Sequence, residues 1–460
     1  MNYQPDILSL LPPVAAIVLA LLTRRVLLSL AIGTVAGVLV YTRFDIPEAA
    51  SQTVALFATL FSTPWILKTL GFAVFVGSVM ELIRRSGGID GFVHLLQERY
   101  SMLRSKRSAL LLVYGTGLLI FIESSITSLI AGAIGRPLAA RFGFSREKLA
   151  YVCDSTAAPV CSLILINGWG ALLLGLIVTQ INAGYLQGDA VSLLLLSAGF
   201  NFYAMAALIL TFAVIWFDWD IGPMRRCSAE TGTYSVGERR GDASLMIVPL
   251  LVMVAGVFLF LWITGGGDLL KGSGSSAVFY TMLLTLAVLA LQYRIKGVMD
   301  WKTYADAVLK GALALVPIAA ILLFAFAIGN VIDRIGTGTY LAGYLQEGMS
   351  LAWLPAAVFA LASIMSFATG TSWGTFSVML PIAVALGAAG NAYMPLLIGA
   401  VISGGVFGDH CSPISDTTII SSLAAGCDHI DHVKTQLPYA LLAGVIAMGM
   451  FLAAGYLLMA

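Results

Sequence analysis

Charge is what this chain has least of. Asp, Glu, Lys and Arg make up only 11% of its 460 residues, where a soluble domain carries about 25%. That shortage excludes an ordinary water-soluble fold. Cysteine is scarce too: Cys153, Cys161, Cys227, Cys411 and Cys427 are odd in number and sit mostly within or beside apolar runs. They read as free thiols, not as a disulfide framework. No H-E-x-x-H and no G-x-x-x-x-G-K-[ST] occurs, so the zinc-protease and P-loop signatures are missing. No polar stretch is long enough to be a regulatory domain. The net charge is +1, and nothing in it points to a nucleic-acid partner. The opening MNYQPDILSLLPPVAAIVLALLTRRVLLSL lacks a basic leader and a small-residue cleavage site, so it reads as a retained first span.

What is present is hydrophobic sequence, 59% of the chain. Apolar runs of about 17–25 residues, the length that crosses a bilayer, recur from end to end. The expected fold class is an all-α polytopic membrane protein, placed in a bacterial inner membrane. Basic residues orient such a chain, because cytoplasmic loops are enriched in them. They cluster at 24–25, 84–107, 136–148, 225–240 and 294–310. With these clusters and Lys434 inside, only Arg43, Lys271 and Arg334 fall outside, and Lys68 lies within a span. Full crossings follow near 7–23, 26–42, 65–83, 149–180, 190–216, 244–263, 276–293, 309–331, 393–425 and 435–459. Both termini are then extracytoplasmic.

Two further apolar stretches, 108–135 and 350–386, must begin and end on the same side. At about 1.5 Å per residue, two full crossings barely fit the shorter one, so both are expected to be re-entrant hairpins. The first contains FIESSITSLIAGAIGRPL and the second SFATGTSWGTFSVMLPI; Thr127-Ser128 precedes Pro137 by the interval that separates Thr371-Ser372 from Pro381. After each comes an apolar segment interrupted by an aspartate and then a proline, Asp154 in YVCDSTAAPVCS and Asp409 in FGDHCSPISDTT. The first stretch begins inside and the second outside. The pattern predicts two inverted repeats, each with a re-entrant hairpin and a broken transmembrane helix, as in transporters whose sites form at the repeat interface. The expected organisation is scaffold spans at 1–107 and 244–331, repeat cores at 108–216 and 332–434, a cytoplasmic linker at 217–243 and a last span at 435–460. Helix breaks are expected near 153–159 and 409–416.

The densest polarity is GDHCSPISDTT, Gly408 to Thr418. Irregular backbone survives in a membrane only when buried in protein or facing a water-filled cavity. Pro413 removes an N–H and disfavours helix at Ser412, which predicts a break around His410–Pro413. Glu123, Asp154, Asp409 and Asp416 are the acidic residues inside the expected spans and hairpins away from their ends. A charge at the bilayer centre costs about 2.5–3.5 kcal/mol on insertion scales, so four carboxylates in two related clusters point to function. Ionised, they hold a cation; neutral, they hold a proton, and the two compete. Hydroxyls such as Ser412 suit hard cations, which want oxygen ligands.

Structural roles stand beside the functional ones. Asp416 and Asp154 fit helix N-caps, and Glu123 fits a hydrated hairpin tip. His410 suits a proton relay or a bond to loosened backbone. Trp373 suits a cavity wall or packing. The cluster GCDHIDHVK, with Cys427, His429 and His432, reads as a solvated juxtamembrane link, since it lacks a second cysteine pair for zinc.

GDHCSPISDTTIISSLAAGCDHIDHVKTQLPYA, with FATGTSWGTFSVMLPIA and REKLAYVCDSTAAPVCSLI, resembles the NhaC-type sodium/proton antiporter family, in the branch that carries GDHCSPISDTT. The resemblance runs from about residue 108 to 440. It implies the fold of the wider ion-transporter superfamily, with a mobile transport domain and a homodimer. It carries over Asp154, Asp409, Ser412 and Asp416 as site residues, with Thr369, Thr371 and Ser372 from the second hairpin. Relatives often have an acidic pair in the first hairpin, as in FIDDYFN; here Glu123 is followed by Ser124 and Ser125. Ile166-Asn167-Gly168-Trp169 replaces the Ile-Ser-Ser-Trp of many relatives. Such a site has less negative charge and more room, and the family includes exchangers of organic acids.

The functional expectation is therefore a secondary transporter, foremost a Na⁺ (or Li⁺)/H⁺ antiporter working by alternating access. Its candidate ligands are Asp154, Asp409, Asp416, Ser412, Thr369, Thr371, Ser372, Glu123, Ser155 and Thr127, with Asp409, Asp154 and His410 as proton carriers. No cofactor or resident metal is expected. The alternative is a Na⁺- or H⁺-coupled carrier of a small organic solute, an amino acid or a carboxylate. A third reading, an intramembrane metalloenzyme, would use His410, Cys411, His429 and His432.

Overall fold

Apolar segments in lipid must satisfy their own backbone groups, which favours helix. The computed structural model describes residues 4–23, 25–97, 105–121, 123–228, 241–267, 272–336, 340 and 350–459. Among them are twenty α-helices and no strand. Arg24, Arg99, Arg104, Lys271 and residues 229–240 of the expected linker, Arg239 and Arg240 among them, lie outside the described residues.

The first half runs α1 (Leu11–Thr23), α2 (Val26–Tyr41), α3 (Ile46–Ser62), α4 (Pro64–Ser86), α5 (Gly88–Gln97), α6 (Lys106–Leu119), α7 (Ser124–Phe142), α8 (Arg146–Ser155), α9 (Ala158–Leu163), α10 (Gly168–Asn182), α11 (Ala190–Ala198) and α12 (Phe202–Phe217). The second half runs α13 (Ser244–Thr264), α14 (Gly274–Ile295), α15 (Trp301–Arg334), α16 (Leu354–Thr369), α17 (Ser372–Ala389), α18 (Met394–Cys411), α19 (Asp416–Ala425) and α20 (His429–Met459).

Ten stretches are long and apolar enough to cross a membrane: 64–86, 146–182, 190–226, 244–264, 275–295, 301–332, 351–369, 372–389, 394–411 and 429–459. They are not the ten of the sequence reading. The apolar parts of α1 and α2 are shorter, and α16 and α17 qualify singly by length and composition. A helix, α3, also occupies the segment between the expected second and third crossings. Asp45 starts it by accepting from the Glu48 N–H, with Pro47 in its first turn, a capping signal that polar residues within the helix obscured.

Two packing systems emerge. One sets α4 against α15 and α14, with α2 on α15. The other interleaves the two halves: α19 packs on α7 and α8, α10 on α17, and α18 on α16 and α17. The apolar windows of α18 and α17 are 89% and 78% buried, against 28% for α13 and α20. The helices carrying polar motifs are thus enclosed by protein, and the exposed apolar surface belongs to others.

Helix interruptions fall at Thr156–Ala157 and at Ser412–Ser415. Both abut a glycine, one on α6 and one between α16 and α17. A Cβ on Gly117 of α6 would lie 2.0 Å from Thr156 Oγ1. Gly370, which joins α16 to α17 at φ +66°, would place one 2.7 Å from the Ile414 carbonyl oxygen. Side chains would force these helices and breaks apart.

Candidate functional site

The interruption after α18 exposes chemistry to a cavity. Asp409 lies in the last turn of α18 and is 2% exposed. Ser372, the first residue of α17, donates from Oγ to Asp409 Oδ2 at 2.6 Å. The same Oγ is 3.1 Å from the Gly405 carbonyl, so one hydroxyl binds α17 to α18 at two points. Thr371 caps α17 by accepting from the Gly374 N–H. Asp409 and Thr371 border a cavity of about 300 Å³.

Its walls come from several elements. Thr371, Trp373 and Asp409 face it from one half, Glu123, Ser124, Ser125 and Trp169 from the other, and α4 and α15 close it with Ala73, Val76, Met80, Leu315 and Ile321. Trp169 and Trp373 meet edge to face at 6.0 Å. Two carboxylates line the cavity and, among the described residues, no Lys, Arg or His does. Such a lining attracts cations. Glu123 caps α7, accepting from the Ile126 N–H at 2.8 Å, so its carboxylate stays at a helix start beside the cavity. A second cavity of about 280 Å³ shares Met80, Glu123, Ser125 and Leu315 with the first and extends to Glu81, Arg84 and Lys310.

The other candidates are placed elsewhere. Asp154 lies inside α8, so the N-cap role does not apply; it is wholly buried and accepts from Gln436 Nε2 at 2.6 Å. Ser155 Oγ is 3.3 Å from His410 Nε2. Ser412 Oγ donates to the Phe367 carbonyl, tying the break to α16. Thr369 donates to the Met365 carbonyl, and Thr127 to the Ile120 and Glu123 carbonyls. These three stabilise helix ends and turns. The N-cap of α19 is Ser415, which accepts from the Thr418 N–H, not Asp416; the Asp416 side chain lies outside the described residues.

Sequence reasoning did not assign three residues to the places they take. Thr417 lines the cavity. Asn167, which caps α10 through Trp169 and Gly170 N–H, also donates to the Phe121, Cys161 and Ile164 carbonyls. It thereby holds the α9–α10 turn against the α6–α7 turn. His432 is 0% exposed and 3.4 Å from Asp154, so the GCDHIDHVK segment is not solvated throughout. His429 reaches the Pro413 carbonyl at 2.6 Å instead, so the four residues of the metalloenzyme reading do not converge. Among the described residues no group of three or more His, Cys, Asp or Glu is placed to hold a metal. Gly370-Thr371-Ser372-Trp373-Gly374 has the G-x-S-x-G spacing of hydrolases, but it joins helix to helix rather than strand to helix.

Comparison with known proteins fits this geometry. Residues 160–456 match the model of the Na⁺/H⁺ antiporter family. An uncharacterised protein of Haemophilus influenzae is 34% identical, over 95% of this chain and 89% of its own length. The malate-2H⁺/Na⁺-lactate antiporter of Bacillus subtilis is 36% identical over 26% of this chain and 27% of its own. The crystal structure of the Alcanivorax borkumensis YdaH transporter superposes with a TM-score of 0.61 at 12% identity, covering 89% of each chain; that likeness concerns the fold.

Proposed function

Since the chain belongs to the Na⁺/H⁺ antiporter family, a family of secondary transporters and not of enzymes, we propose that it exchanges Na⁺ or Li⁺ for H⁺ across a bacterial inner membrane. The observation that carries this reading is the cavity that Asp409, held by Ser372, and Glu123 line together. A carboxylate there holds either a metal ion or a proton, and exclusive occupancy is what couples the two. Thr371 and Thr417 supply oxygens of the kind hard cations prefer.

Alternating access follows if the interleaved helices, α6–α10 and α16–α19, move past the α4–α15 pair. The second cavity supports an opening towards Arg84 and Lys310, the side that the basic residues mark as cytoplasmic. In this reading α6–α7 and α16–α17 act as the two hairpins of inverted repeats. The α4–α15 system forms the dimer scaffold.

A second reading is favoured by volume. A cavity of about 300 Å³ has room for far more than a bare ion, since one water takes about 30 Å³ of liquid. The partial similarity to a malate-2H⁺/Na⁺-lactate antiporter adds weight to a small organic solute carried with Na⁺ or H⁺.

Proteoliposomes with a preset pH gradient test both. Addition of Na⁺, Li⁺ or K⁺ salts of one anion should move protons for Na⁺ or Li⁺ if the first reading holds. Movement only after addition of amino acids or carboxylates would establish the second.

A further inference from the structure

Away from the cavity, four helices bring titratable groups to one buried point. Asp154 comes from α8, Tyr203 from α12, His410 from α18, and His432 and Gln436 from α20. Asp154 Oδ2 lies 3.4 Å from His432 Nε2 and 4.0 Å from His410 Nε2. The Tyr203 hydroxyl is 2.7 Å from His410 Nδ1. None of these five side chains is more than 1% exposed. Yet Asp154 Oδ1 and His432 Nδ1 have no hydrogen-bond partner among the described residues.

We propose that Asp154, His410 and His432 form a proton-binding site, distinct from the cavity, whose occupancy is felt at Asp409. A buried carboxylate demands a compensating charge, and the fixed cations nearby are engaged elsewhere. Lys148 pairs with Asp218 and Asp220, Arg146 bonds the Gly426 carbonyl and Arg136 the Leu423 carbonyl. Lys434 pairs with Asp431. Of the remaining titratable neighbours, Tyr151 meets the Thr211 hydroxyl, and Cys153 and Cys411 are buried thiols. Asp409 is bonded by Ser372. The cation within reach of Asp154 is thus a protonated imidazole. With both imidazoles neutral and Asp154 ionised the cluster carries one negative charge. One proton, on nitrogen or on the carboxylate, cancels it, and only that N–H or O–H bond forms.

The link to Asp409 is short, two hydrogen bonds and one peptide step. Gln436 Nε2 donates both to Asp154 Oδ2 and to the His410 carbonyl, each at 2.6 Å. That carbonyl belongs to the final turn of α18, one residue beyond Asp409. A change of charge at Asp154 therefore pulls on the same turn that presents Asp409 to the cavity. A fully satisfied structural network would leave fewer ends open.

The inference rests on the transporter reading but is tested without cargo. Infrared difference spectra of the purified protein, taken from about pH 5 to about pH 8, where ordinary histidine titrates, should contain a carboxyl or imidazole band. That band should vanish in Asp154→Asn and shift in pH in His432→Gln, a change of similar size that keeps a polar group. With Na⁺ as probe, His432→Gln should keep affinity at alkaline pH within about 3-fold, a change below 1 kcal/mol, and lose about half the pH dependence of binding. Spectra unchanged in both folded variants, or a stoichiometric transition metal in the protein, would overturn the proposal. Failure of Na⁺ to bind the wild type, with the band present, would instead count against the cation reading alone.

Discussion

Asp154 and Asp409 occupy comparable places in the chain. Each lies in the last turn of a helix that stops shortly before a proline, α8 ahead of Pro159 and α18 ahead of Pro413. Their surroundings differ. Asp409 meets a hydroxyl and borders a cavity with a second carboxylate. Asp154 is enclosed by two imidazoles and an amide from the other half of the molecule. A hydroxyl leaves room for a metal ion to take charge of its carboxylate, whereas an imidazole competes for that charge with a proton. On the proposed reading, similar breaks serve different occupants: an exchanging ion at one, a proton at the other.

The largest expected effect comes from removing the cavity charge. Asp409→Asn should weaken Na⁺ binding by about 100-fold or more, in line with about 2–5 kcal/mol for truncating a buried charge pair. Fluorescence of Trp169 and Trp373, which line the cavity, reports it. Wild-type affinity in this variant would erase the distinction between the two aspartates. Ser372→Ala leaves the charge and removes its donor. About tenfold weaker binding is expected, near the lower end for a hydrogen bond to a charged group, and titration calorimetry reads it.

Gly370→Ala sharpens the comparison through geometry. Its φ of +66° and the close Ile414 carbonyl predict a loss of about 1 kcal/mol or more, seen as a lower Tm together with weakened cation binding. The smallest effect is a control outside the membrane. Asp242 precedes α13, and its hydrogen bond to the Lys296 ammonium, aided by Ser244, brings its pKa down to about 2. A lowered carboxylate contributes stability that is present above its unfolded pKa, about 3.9, and lost as pH falls through about 2. Because the pair is largely exposed, Asp242→Asn should change melting at neutral pH only marginally. Among the described residues no ammonium pairs with Asp154, so its variants should respond between acid and neutral pH instead.

Much of this was legible in the sequence. Pro413 and the polar run around it announce the break, Asp409 stands out by residue type and position, and Thr371 and Ser372 come from the family resemblance. Asp154 and His410 are singled out too, but the rest of their cluster is not. Tyr203, His432 and Gln436 come from helices far along the chain, and a periodic apolar pattern does not say which helix faces touch. His432 was also masked by its neighbours: Asp428 and Asp431 made the segment look solvated, although the helix turns one face inward. Thr127, Thr369 and Ser412 have the right chemistry for ion ligands but spend it on backbone carbonyls at helix ends. Sequence gives hydroxyls; only packing decides whether backbone has already claimed them.

The most direct measurement is proton movement in proteoliposomes on adding Na⁺, for the wild type beside Asp409→Asn. The account predicts Na⁺-driven proton flux in the wild type and its loss in the variant, with both proteins folded and inserted equally. Equal flux in the two would remove Asp409 from the exchange and contradict the account.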